Sequence, residues 1–148
     1  MTLIRGLRED DWPQMVAVAQ EAHDSMPNLP GKFQPAIWVK NWRQFCSTPA
    51  ACILIMEKEG VVRGGICGAM TVDPATDDLM AVMCWWHIAR LHRGQGFKLL
   101  KQWMHLVKER GAVRLTMNHL NDLHSNRLET LYLRMGMKPL EKIYIMEL

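Results

Sequence analysis

A single mixed α/β domain is the fold class this sequence predicts, and three observations predict it. At 148 residues the chain is near the commonest domain size, where roughly 70% of the unfolded surface is buried without staples. Apolar runs in the middle of the chain lie between stretches whose apolar residues recur every three or four positions, which reads as sheet flanked by helices. Strand-like and helix-like segments then alternate toward the end, the pattern of strand–helix–strand crossovers. A hydrophobic share of 49% and a charged share of 22% are ordinary for globular chains and exclude disorder as the main theme. Residues 1–148 are therefore read as one domain.

Ile4 and Leu7 mark a short first strand. Asp10 or Asp11 is placed to cap a helix that has Pro13 early and Met15, Val16, Val18, Ala19 and Ala22 as its apolar stripe. Three prolines between Met26 and Pro35 make a loop, and Trp38, Trp42 and Phe45 give Ala36 to Cys46 a helical period. Cys52 to Met56 and Val61 to Val72, around the turn Glu57 to Gly60, read as a hairpin. Leu79 to Ile88, apolar on both faces, reads as a central strand. Simple alternation puts Val82, Cys84 and Trp86 on one face and Met83, Trp85 and His87 on the other. A helix from Gly96 stops at Gly111, Val113 to Met117 alternates as a strand, and Ser125 to Met135 is a helix capped by Ser125 or Asn126. Ile143 and Ile145 alternating with Tyr144 make Lys142 to Met146 a closing strand. The result is a mixed sheet with helices on both faces.

Lys and Arg number 18 against 15 Asp and Glu, a net charge of +3. That balance tolerates anionic ligands and does not mark a nucleic-acid binder. The longest apolar run, Met80 to Trp86, falls far short of the roughly 20 residues of a membrane helix. With charged residues throughout the first eleven positions, the chain is expected to be cytoplasmic and to need no membrane. Its four cysteines lack metal-type spacing, so they read as buried small hydrophobes and no metal site is expected.

The informative stretch is Ile88-Ala-Arg-Leu-His-Arg-Gly-Gln-Gly-Phe-Lys98, a buried strand feeding a glycine turn that opens a helix. Gly94 and Gly96 let backbone approach a ligand closely, and the first helical turn offers N–H groups to an anion. Leu99 stands where a dinucleotide fingerprint needs its third glycine. No Gly-Lys-Ser/Thr follows for a P-loop.

Arg93-Gly-Gln-Gly96 after an apolar strand resembles the Arg/Gln-x-x-Gly-x-Gly/Ala motif of the GCN5-related N-acetyltransferase (GNAT) family. Asn126-Arg-Leu-Glu-Thr-Leu-Tyr-Leu-Arg-Met-Gly-Met137 is similar to the family's tyrosine helix, and Ile4 to Trp12 to its first strand and helix start. The resemblance implies a mostly antiparallel sheet whose central parallel strands, here ending near Ile88 and starting near Val113, are splayed around acetyl-coenzyme A (acetyl-CoA). It implies that the amides of Arg93, Gly94, Gln95, Gly96, Phe97 and Lys98 hold the pyrophosphate. Backbone around Ile88 and Arg90 would pair with the pantetheine arm, and Asn126 would belong to the same site. Tyr132 matches the tyrosine that protonates the leaving thiolate, a fitting general acid.

The strand positions that carry a Glu or His base in several members hold Val82 and Cys84 here. His87, on the opposite face by alternation, and Glu21, His23, Asp24, Asp77, Asp78, His119 and His124 stay open as proton acceptors. Trp38 and Trp42 could line the acceptor pocket. The implied reaction is acetyl transfer to an amine of a small molecule or protein. A modifier of tRNA or other nucleic acid, and a catalytically degenerate binding module, are the alternatives. The many Trp and Met residues could supply the apolar patch of a homodimer.

Overall fold

A computed structural model describes residues 1–118 and 125–148, and of Ser125 the backbone alone. One sheet holds five strands in chain order: β1 (Thr2–Arg5), β2 (Ala51–Lys58), β3 (Val61–Val72), β4 (Leu79–Ile88) and β5 (Arg114–Thr116). Neighbours are antiparallel except β4 and β5, which run parallel. The helices are α1 (Trp12–Asp24), α2 (Pro35–Cys46), α3 (Gly96–Glu109) and α4 (Ser125–Arg134).

Alternation along β2 sorts the core into two layers. Cys52 and Met56 face α3 and pack with Ile66, Leu99, Leu100, Trp103 and Val107. Ile55 faces α1 and α2, packing with Met15 and Val62 beneath Trp38 and Trp85. The glycines of β3 make room for this. A Cβ on Gly68 would press into the Trp103 ring and lie 2.5 Å from the Val82 carbonyl oxygen. The space lets Trp103 bury fully and donate from Nε1 to the Cys52 carbonyl at 3.0 Å. Gly136, at φ +85°, ends α4 as expected, with the Met137 N–H reaching back to the Tyr132 carbonyl at 3.0 Å.

Four expectations need correcting. Asp11 does not cap α1 through its side chain. A 3₁₀ turn (Glu9–Asp11) precedes that helix, and the Asp11 carboxylate instead takes the Arg5 guanidinium at 2.7 and 2.8 Å and the Arg8 N–H at 2.7 Å. The alternation drawn along β4 fails because the strand carries a bulge. Cys67 pairs with Trp85 and Gly68 with Met83, leaving Cys84 as an extra residue that reverses the faces beyond it. Ala81, Met83 and Ile88 therefore share the α3 face with Trp86, and Trp85 faces α1. The third correction follows, since Cys84 is exposed and Cys46 only half-buried, with Cys52 and Cys67 alone buried. Finally, Lys142 to Met146 forms no strand and is exposed throughout. The preceding strand is shorter than expected, Arg114–Thr116.

Candidate active site

β4 and β5 pair only over Met80 to Val82 and Arg114 to Thr116. The Cys84 bulge follows at once on β4, and a bulge bends its strand. β5 ends at Thr116, so beyond the bulge the β5-facing edge of β4 pairs with no strand among the described residues. Ala89 donates to the Arg63 carbonyl at 2.7 Å, which makes Gly64 opposite Ile88 a non-bonded pair. By antiparallel alternation, the N–H and C=O of Ile88 then point to that edge.

The chain leaves β4 through a 3₁₀ turn (Arg90–Gln95) that runs directly into α3. This turn carries Arg90, Arg93, Gly94 and Gln95, and the first turn of α3 carries Gly96, Phe97 and Lys98. The structure thus brings Ile88 and these seven together at one end of β4. Gly96 is buried, and its N–H bonds to the Arg93 carbonyl rather than standing free. Phe97 and Lys98 are exposed, with the Lys101 ammonium 5.1 Å from the Phe97 ring centre. A Cβ built on Gly94 would meet no atom of the described residues within 4 Å.

Tyr132 lies on the β5 side. It is 7% exposed in α4 and donates its hydroxyl to the Asn118 carbonyl at 2.9 Å, two residues past the end of β5. Burial pushes the phenol's pKa above its ordinary value, so Oη holds its proton at neutral pH. Asn126 sits exposed at the start of α4, its carbonyl accepting from Thr130 Oγ1 at 2.9 Å. His119, His124 and the Ser125 side chain lie outside the described residues.

Two features carry no signal in the sequence. The Trp86 indole Nε1 is buried on the α3 face of β4 and has no hydrogen-bond partner among the described residues. Its ring lies 3.4 Å from where a Cβ of Gly96 would stand. The second is a clasp across the α1 face. The Glu21 carboxylate meets His87 Nε2 at 3.1 Å and accepts from the Arg90 N–H at 2.7 Å through the same oxygen. The reversed alternation is what turns His87 toward α1. Cys84, by contrast, donates its thiol to the Val82 carbonyl at 3.6 Å, and burial raises its thiol pKa.

The model of the acetyltransferase (GNAT) family matches residues 7–137. The chain belongs to the GNAT family. Solved GNAT structures superpose over nearly its whole length. A ribosomal-protein-alanine N-acetyltransferase from Brucella melitensis biovar Abortus 2308 covers 100% of this chain with 99% of its own, at 15% identity and TM-score 0.77. Glucosamine-6-phosphate N-acetyltransferase from Arabidopsis thaliana covers 100% with 98% of its own, at 14% identity and TM-score 0.75. A predicted acetyltransferase from Clostridium acetobutylicum, solved with acetyl-CoA, covers 99% with 96% of its own, at 12% identity and TM-score 0.78. No curated protein matches. Identities this low carry the fold and leave the acceptor of this GNAT protein to its own residues. At the turn a Cβ on Gly96 would stand 3.4 Å from the Trp86 ring and 3.5 Å from the Ile88 side chain, so these three residues come together there.

Proposed function

We propose that this protein transfers an acetyl group from acetyl-CoA to an amine of a small molecule or protein. The observation that carries the reading is that β4 runs on past its β5 pairing and the Cys84 bulge to the Arg90–Lys98 turn, its β5-facing edge unpaired among the described residues. Acetyl-CoA supplies an activated thioester. The basic side chains of Arg90, Arg93 and Lys98 suit its phosphates, and the backbone groups of Ile88 suit a strand-like amide chain. A ligand acceptor atom within reach of Trp86 Nε1 would relieve a buried donor whose desolvation is otherwise uncompensated.

Tyr132 is the proton donor in this reading. Its burial and raised pKa keep the hydroxyl protonated until a stronger base, such as a departing thiolate, forms nearby. An acceptor amine arrives as an ammonium and must lose a proton before it attacks. Among the described residues the Glu21–His87 pair suits that proton, because the carboxylate orients the imidazole.

The test is thiol release from acetyl-CoA over a panel of primary amines, followed by single-turnover transfer in Tyr132→Phe. That variant keeps the ring and removes one hydroxyl. Transfer should slow by roughly 10²- to 10⁴-fold, the range of a positioned general acid. Acetyl-CoA affinity should stay unchanged. Wild-type rates in the variant would reduce Tyr132 to a packing residue. No thiol release with any amine, together with no acetyl-CoA binding, would overturn the reading itself.

A further inference from the structure

Two of the four cysteines meet at the seam between α2 and the sheet. Ile66 and Gly68 of β3 face α3, so Cys67 between them faces α1 and α2. Trp38, Trp42 and Cys46 stand four apart on α2 and therefore share one helix face. That face meets the sheet at a small cavity, which Cys46 and Cys67 line together with Trp38, Trp42, Ile53 and Trp85. There the Cys67 thiol donates a hydrogen bond to the Cys46 sulfur, which sets the two sulfurs side by side.

The two thiols are unequal. Cys46 is half-buried, whereas Cys67 is buried. The hydrogen bond it accepts from Cys67 holds the Cys46 pKa below its ordinary value, and that bond together with burial pushes the Cys67 thiol far up. Cys46 is thus the reachable thiolate and Cys67 its protonated neighbour, the arrangement of an attacking and a resolving cysteine. The other two cysteines are placed differently. Cys52 packs on the α3 face beside Arg110, and Cys84 donates to the Val82 carbonyl.

We propose that Cys46 and Cys67 are an oxidation site that a small peroxide converts to a reversible disulfide, tying the end of α2 to the sheet. The Cys46 sulfur attacks one oxygen of hydrogen peroxide and the O–O bond breaks. This leaves sulfenic acid on Cys46 and, once the departing hydroxide takes a proton, one water. The Cys67 sulfur then attacks the Cys46 sulfur, and its own proton leaves with the displaced hydroxyl as a second water. Two thiols lose two electrons in all, and one peroxide is reduced to two waters. α2 has no fully buried residue, so the bond would fix a helix that packing holds loosely. The proposal does not rest on the acetyl-transfer reading, since neither thiol is placed in that site.

Non-reducing peptide mapping of the folded full chain after brief hydrogen peroxide treatment tests it. The expected product is a crosslink between the peptides that hold Cys46 and Cys67, reversed by dithiothreitol. A bulky disulfide reagent meets the exposed Cys84 first, but hydrogen peroxide is small enough to reach Cys46. In Cys46→Ser, a change at a half-buried position, the buried Cys67 should stay reduced. Wild-type protein that halts at sulfenic or sulfinic acid on Cys46 would overturn the proposal. So would a crosslink between any other two cysteines, or a Cys46 still reduced when Cys84 is already oxidised. Oxidation of Cys67 in Cys46→Ser would overturn it as well.

Discussion

Replacing Asp11 by Asn tests the network that fixes α1 against the sheet. Asp11 is 2% exposed and accepts two bonds from Arg5 and one from the Arg8 N–H, all at 2.7 to 2.8 Å. Arg5 also reaches Glu57 Oε2 at 2.8 Å. Asn keeps the shape but removes the charge, and turns one oxygen into an NH₂ that faces other donors. Breaking a buried pair costs about 3 to 5 kcal/mol, and the surviving Glu57 contact puts this case near the lower end, about 3 kcal/mol. For a chain of this size that lowers the melting temperature by about 10 °C.

The same change should reshape the acid limb. Hydrogen bonding to Arg5, followed by the Arg8 amide, holds the Asp11 pKa below its ordinary 3.8. A depressed carboxylate pKa stabilises the fold fully above the unfolded value and loses that contribution as pH falls through the folded one. The gap between wild type and Asp11→Asn should therefore be constant near neutrality and shrink below pH 3.8. Urea unfolding followed by circular dichroism across that range measures it. A neutral-pH difference under about 1 kcal/mol, the worth of a surface pair, would refute the network's role. A gap that does not narrow in acid would refute its electrostatic origin.

Two further outcomes follow from the geometry around β4. Gly68→Ala places a methyl against the Trp103 ring and the Val82 carbonyl, so a drop of about 1 to 3 kcal/mol in urea-measured stability is expected; an unchanged midpoint would contradict the placement of Trp103. Cys84, the exposed cysteine at the bulge, should be the first thiol that a disulfide reagent labels. Its raised pKa should make labelling speed up as pH rises. Saturating acetyl-CoA should slow that labelling, and an unaltered rate would place the ligand elsewhere.

Much of this was legible because local signals and tertiary demands agree. Gly111 and Gly136 stop α3 and α4 where a left-handed residue is needed, and Gly94 with Gly96 marked the turn at the end of β4. What was not legible depends on partners that alternation cannot see. Whether Cys84 is one residue too many is decided by β3, which offers Cys67 and Gly68 across from Trp85 and Met83. That single extra residue moved His87 to the α1 face and made Glu21 its partner. Asp11 looked like a cap because caps are local, but a half-buried Arg5 from β1 made a stronger demand on its carboxylate. Lys142 to Met146 has the pattern of a strand, and pattern alone supplies no edge for it to join.

The most direct test of the account is calorimetric titration of acetyl-CoA into wild type and Gly94→Val. No atom of the described residues lies within 4 Å of a Cβ at residue 94, so the substitution should leave the melting temperature unchanged while filling the space proposed for the ligand. The account predicts stoichiometric binding to wild type and a loss of at least about tenfold, or 1.4 kcal/mol, in the variant. Equal affinity in the two proteins, or no binding to either, would contradict it.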